Sequence, residues 1–125
     1  MKAHNFHWNV EGPRLRSLHK IFEEHDRDLW NALDDIAERI RALGADAPGT
    51  YAKFKARSSI ADNAQIPKAD AMLDELVAYN ETVVRNRRAA VAVAEAQGDP
   101  ATAELLTERL HPHEKQLWMM RSMRA

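Results

Sequence analysis

Two pairs of potential metal ligands lie along one long predicted helix of this 125-residue chain. His19 and Glu23 are four residues apart, and so are Asp34 and Glu38. At about 100° per residue these four side chains fall within one arc of about 100° around the helix. Imidazole and carboxylate ligands together suit iron, zinc or manganese, and a carboxylate-rich set on helices favours iron. The same spacing also occurs on solvated helix faces, so taken alone it leaves both interpretations open.

The two pairs are too far apart along the helix to share a metal ion within one chain. Glu23 and Asp34 are separated by about 16 Å, at about 1.5 Å per residue. Two copies of the helix, packed antiparallel about a two-fold axis, would bring the first pair of one copy onto the second pair of the other. The spacing therefore predicts two equivalent sites per dimer, each built from both chains.

Glycine and proline divide the chain into helical segments. Helices are predicted at about 13–43, 68–97 and 100–124, with a short helix near 50–56 in the central connection. Apolar residues recur at intervals of three, four and seven, and nothing alternates with period two, so no sheet is expected. Residues 2–10 have the pattern of the end of a further helix, which leaves a four-helix bundle one wall short unless another subunit supplies it. Pro112 predicts a kink in the last helix.

Composition excludes several classes of function. Eighteen Lys and Arg against nineteen Asp and Glu give a net charge of −1, which supplies no general attraction to nucleic acid or anionic membranes. The absence of cysteine excludes disulfides, zinc fingers and thiol catalysis. No apolar run reaches the roughly 18 residues of a membrane span, and the first residues lack the apolar stretch of a signal peptide. We expect a single domain over residues 1–125, located in the cytoplasm.

Motifs along essentially the whole chain resemble the Dps family of mini-ferritins (DNA-binding proteins from starved cells). They are residues 7–10 (HWNV), 12–13 (GP), 34–39 (DDIAER), 98–104 (GDPATAE) and 113–119 (HEKQLWM), together with His19 twelve residues after His7. The resemblance implies an all-α, ferritin-like four-helix bundle with a short helix in the central connection. The first helix of that bundle would be truncated here.

The resemblance also implies ferroxidase activity, the enzymatic oxidation of Fe(II) to Fe(III), at a site shared by two subunits. His7, His19 and Glu23 would come from one subunit, and Asp34 and Glu38 from its two-fold partner. This division matches the one that the helix spacing requires. Two iron ions per site would be oxidised, by hydrogen peroxide in preference to oxygen, and the ferric product stored as mineral inside a homo-oligomeric shell of twelve subunits.

Four further residues have implied roles near the site or on the path to it. Asp99, Glu104 and Glu108 match acidic positions that line the family's three-fold pores, where carboxylates would concentrate incoming cations. The alternative for them is interaction with the N-terminus of the last helix. Trp8 matches an aromatic residue beside the site, with core packing as its alternative.

The other histidines and the termini give weaker signals. His4 is expected at the surface, and His25, His111 and His113 are expected to be structural or solvated. No basic N-terminal extension or C-terminal lysine run is visible, so we expect weak or absent DNA binding near physiological salt. Two alternatives to an iron-storing ferroxidase remain: a nucleoid-associated protein that protects DNA, and a structural helical fragment with degenerate metal function.

Overall fold

The computed structural model describes residues 1–124, which form five helices and no strand. The helices are α1 (Lys2–Asn9), α2 (Leu15–Ala42), α3 (Tyr51–Arg57), α4 (Ala69–Ala96) and α5 (Pro100–Arg124). The predicted helices, including the short one in the central connection, are confirmed. None of the helices among the described residues combines the length and apolar character that crossing a membrane requires.

Helices α1, α2, α4 and α5 pack against one another to form the bundle. α1 runs antiparallel to α2, and α5 runs antiparallel to both α2 and α4. The long connection that contains α3 lets α2 and α4 run parallel to each other. One long crossover in a bundle of this kind is the arrangement of ferritin-like folds, so the predicted fold class is confirmed.

The apolar core lies where α1, α2 and α4 meet α5. Phe6 of α1 and Phe22 of α2 are fully buried, and their ring centroids are 6.4 Å apart. α1 has 8 residues and α2 has 28, which correspond to lengths of about 12 Å and 42 Å. α1 therefore packs against only the N-terminal half of α2.

A tight reversal joins α1 to α2. The backbone of Gly12 has φ +106°, a conformation in which a side chain would be strained, and its carbonyl accepts a hydrogen bond from the N–H of Leu15 at 2.9 Å. In the middle of the bundle, α5 continues through Pro112 as one helix, although this residue cannot donate to the preceding turn.

A polar network replaces apolar packing in the middle of the bundle. His25, Asn80 and His113 come from α2, α4 and α5 and are fully buried. Asn80 Nδ2 lies 3.2 Å from His25 Nε2, and Asn80 Oδ1 lies 2.7 Å from His113 Nδ1. Burial lowers the pKa of His25 to about 4 and that of His113 to about 3. Both histidines are therefore neutral and structural, which is the first of the two alternatives, structural or solvated, that the sequence left for them.

Candidate metal centre

The reversal between α1 and α2 brings two predicted ligands side by side. The ring centroids of His7 and His19 are 4.1 Å apart, and the ring planes are inclined by 34°. Phe6, next to His7, anchors this end of α1 in the core beside Phe22 of α2. Apolar burial on the inner faces of the two helices thus positions both imidazoles on the outer side of the hairpin.

The two histidines hold each other through reciprocal hydrogen bonds. His7 Nδ1 lies 3.0 Å from the carbonyl oxygen of His19, and His19 Nδ1 lies 2.8 Å from the carbonyl oxygen of His7. A carbonyl oxygen only accepts, so each Nδ1 carries the proton and donates it. In the neutral imidazole, each Nε2 then keeps its lone pair. Metal-binding histidines characteristically donate their second ring N–H to a carbonyl or carboxylate, which fixes the tautomer and the ring orientation.

Glu23 lies one turn after His19 on α2, with its side chain 33% exposed. Its Oε1 lies 2.6 Å from Nη2 of Arg27, which is one turn further on. The sequence interpretation assigned no role to Arg27, although the i,i+4 spacing from Glu23 could have revealed this ion pair. The structure thus brings His7 and His19 together, whereas Glu23 follows on the next turn of α2 and does not complete a three-ligand cluster with them within the described residues.

Asp34 and Glu38 lie on the exposed surface of α2 and do not join the first group. They follow Glu23 by eleven and fifteen residues, so the axial separation is at least about 16 Å. Within residues 1–124 of one chain, no three His, Asp or Glu side chains come close enough together to hold a metal ion. A metal site that uses all five residues therefore needs a second chain.

Large apolar side chains lie between the two ligand groups on the outer surface of α2. Trp30 is 74% exposed and Leu33 is 48% exposed. Exposed apolar side chains of this size, grouped on one surface, are typical of contacts with another protein chain. This stretch of α2 is therefore suited to packing against another subunit.

Trp8 does not pack in the core, so the core alternative for this residue is wrong. Its side chain is 68% exposed, and its ring centroid lies 3.7 Å from that of His4. His4 is half-buried rather than fully at the surface, and its Nδ1 lies 3.3 Å from Oδ2 of Asp26. Trp8 therefore lies exposed on α1 with its ring against His4.

Comparison with known proteins assigns the family. A family of ferritin-like domains matches residues 1–125. The chain is 33% identical over 121 residues to DNA protection during starvation protein 2 of Bacillus anthracis, covering 97% of this chain and 83% of that protein. It is 37% identical over 124 residues to a low temperature-induced protein of Nostoc, covering 98% of this chain and 69% of the relative. The chain belongs to the Dps family of ferritin-like proteins.

Solved structures of Dps proteins have the same fold. The Dps of Staphylococcus aureus superposes with a TM-score of 0.95 at 31% identity, over 99% of this chain and 83% of that one. The Dps of Bacillus brevis gives a TM-score of 0.94 at 33% identity, over 98% and 82% of the two chains. Family membership places the chain among proteins of iron storage and DNA protection.

The structure separates Asp99 from the two other acidic residues assigned to the Dps pore. The Asp99 carboxylate accepts hydrogen bonds from the hydroxyl and the backbone N–H of Thr102 and from Nη2 of Arg39. The Thr102 hydroxyl, the Thr102 backbone N–H and the Arg39 guanidinium hold the pKa of Asp99 below its usual value. Asp99 therefore caps α5 and ties it to α2, which favours the helix-terminus alternative for this residue. Glu104 and Glu108 lie exposed on α5.

Two sets of variants separate capping from pore function in this Dps protein. Asp99→Ala should lower Tm by a few degrees, since it removes a helix cap and an ion pair. Glu104→Gln with Glu108→Gln should leave Tm unchanged and slow iron uptake at low iron concentration, because fewer carboxylates attract the cation. Thermal melts and uptake kinetics on intact assemblies measure both effects. Unchanged uptake in the glutamine variant would remove Glu104 and Glu108 from the pathway of iron.

Proposed function

We propose that the protein is an iron-storing ferroxidase whose oxidation sites are shared between two-fold related copies of the chain. The observation that carries the proposal is the reciprocal pair of hydrogen bonds between His7 and His19. These bonds leave two preoriented imidazole lone pairs on an outer surface, with the Glu23 carboxylate one turn away.

The donor set fits iron as the substrate metal. Imidazole nitrogen and carboxylate oxygen together are the ligands of helical di-iron sites. One chain supplies His7, His19 and Glu23, and the exposed position of Asp34 and Glu38 leaves them available to a partner. In an antiparallel pair of α2 helices, each ligand group would face the opposite group of the other copy, and the exposed apolar stretch around Trp30 would lie between the two sites.

At such a site, two ferrous ions supply the two electrons that reduce one molecule of hydrogen peroxide. Each Fe(II) gives up one electron, and one hydrogen peroxide molecule accepts both electrons with two protons to form two molecules of water. Because both electrons leave together, the one-electron reduction of peroxide that yields hydroxyl radical is avoided. The protein contributes the position of both metal ions and the negative charge that favours the ferric product.

We further propose that the sites belong to a homo-oligomeric shell, twelve subunits in the family's usual form, in the bacterial cytoplasm. Ferric mineral would accumulate inside that shell. Oxygen would serve as a slower oxidant than peroxide. DNA binding by these 125 residues would be weak or absent at physiological salt, because their net charge is −1.

Anaerobic loading with Fe(II), followed by addition of hydrogen peroxide or oxygen, tests the proposed function. We expect faster oxidation with peroxide, measured by the absorbance of the ferric product. The double variant His19→Ala, Glu38→Ala should lose most of this rate, because it removes a ligand from each half of the site. His111→Ala is a matched control, since this exposed histidine lies on α5. Oxidation by the double variant at the parental rate would refute the site assignment.

A further inference from the structure

Arg27 forms an ion pair with one of the proposed iron ligands of its own chain. Its Nη2 lies 2.6 Å from Oε1 of Glu23, and 74% of the Arg27 side chain is exposed. Two neighbouring carboxylates of α2 have other partners. Asp28 is held by Arg109 through two hydrogen bonds, and Asp26 lies beside His4. The anionic partner of Arg27 is therefore the Glu23 carboxylate, which is one of the proposed iron ligands.

Through this contact, Arg27 competes with a metal ion for the Glu23 carboxylate. A carboxylate whose Oε1 accepts from a guanidinium offers a metal ion only its second oxygen, and the metal would then sit close to a positive charge. Full use of the carboxylate requires Arg27 to leave. The side chain can leave at little cost, because it is mostly exposed and surface ion pairs at i,i+4 are weak.

We propose that Arg27 competes with the second ferrous ion for Glu23 and so sets the order in which the shared site fills. This inference rests on the proposed function. The histidine end of the site carries no such competitor among the described residues, since each ring Nδ1 is bound to a carbonyl and each Nε2 is left open. Metal binds first at the histidines, and the Glu23 end fills only when Arg27 releases the carboxylate.

The competition has an expected size. Removing one positive charge from within about 5 Å of a divalent ion at a solvated site should tighten binding at the weaker position about tenfold. The effect should shrink as ionic strength rises, because the Debye length falls from about 10 Å at 0.1 M to about 3 Å at 1 M. Binding at the tighter, histidine-dependent position should change little.

Isothermal titration of the assembled protein with Zn²⁺ alone, which cannot be oxidised, measures this directly. We expect two classes of binding in the parent. Arg27→Ala should tighten the weaker class about tenfold, and Arg27→Lys, which keeps the charge, should stay close to the parent. In the Glu23→Gln background, Arg27→Ala should not tighten zinc binding, since there is no longer a carboxylate for which Arg27 and the metal ion compete.

Arg88→Ala is a matched control, because Arg88 makes a comparable exposed pair with Glu114, at 2.8 Å between Nη2 and Oε1, on the α4/α5 surface. It removes the same charge and should leave both zinc affinities unchanged. Weaker or unaltered zinc binding in Arg27→Ala, with His19-dependent binding intact, would overturn the competition alone. Zinc binding that survives in His19→Ala unchanged would overturn the proposed site, and the role of Arg27 with it.

Discussion

Chains that lack either half of the ligand set should be nearly inactive alone and should recover about a quarter of the parental ferroxidase rate when they assemble together. One chain would carry His7→Ala and His19→Ala, and the other Asp34→Ala and Glu38→Ala. In a mixed dimer, one site collects both lesions and the other collects none. Under random pairing about half of the dimers are mixed, and each keeps one of its two sites.

Peroxide-dependent oxidation of Fe(II) by co-expressed chains, normalised to the oligomer present, measures this recovery. A mixture of the two variants assembled separately serves as the control and should stay inactive. Mixed oligomers that regain nothing would show that the ligands act within one chain. If the ligands acted within one chain, the five residues could not form one site, because Glu23 and Asp34 are separated by about 16 Å along α2.

Acid should destabilise the protein through the buried pair His25 and His113. Burial lowers both pKa values, to about 4 and about 3, whereas the unfolded chain takes up these protons near pH 6.5. The stabilising contribution is therefore complete above about pH 6.5 and is lost as pH falls toward the folded pKa values. Lowering the pH from 7.5 to 5.5 should reduce the free energy of unfolding by about 1.4 kcal/mol for each histidine and by about 3 kcal/mol for the pair.

Urea unfolding at the two pH values, at fixed protein concentration and without metal, measures the loss. His113→Leu should reduce the pH-dependent loss by about half, whatever it does to the absolute stability. His111→Leu should leave the loss unchanged, since this histidine is exposed on the same helix. Equal free energies of unfolding at pH 7.5 and 5.5 in the parent would show that the two histidines do not resist protonation.

Local patterns predicted the helices well because each helix is bounded by residues with strong backbone preferences. Gly12, Gly44 and Gly98 all adopt positive φ at or beyond helix ends, and Pro100 begins α5. The axial separation of Glu23 from Asp34 also followed from spacing alone, since helix rise fixes it. No side-chain contact was needed for either prediction.

Contacts between helices were less predictable, because they depend on which faces meet. Asp99 has the sequence context of a pore residue, but Arg39 from α2 and Thr102 bind its carboxylate. His25 and His113 are 88 residues apart in the chain, and only the packing of α2, α4 and α5 reveals that Asn80 joins them. The reciprocal bonds of the His7–His19 pair likewise depend on the angle at which α1 returns along α2.

Anomalous diffraction at the iron edge, from crystals of the assembled protein loaded anaerobically with Fe(II), tests the shared site most directly. We predict iron bonded to Nε2 of the His7–His19 pair in one chain and to Asp34 and Glu38 of the partner subunit. The Nδ1 atoms of both rings should keep their bonds to backbone carbonyls. Iron held by residues of a single chain, or bound away from both imidazoles, would contradict the proposal.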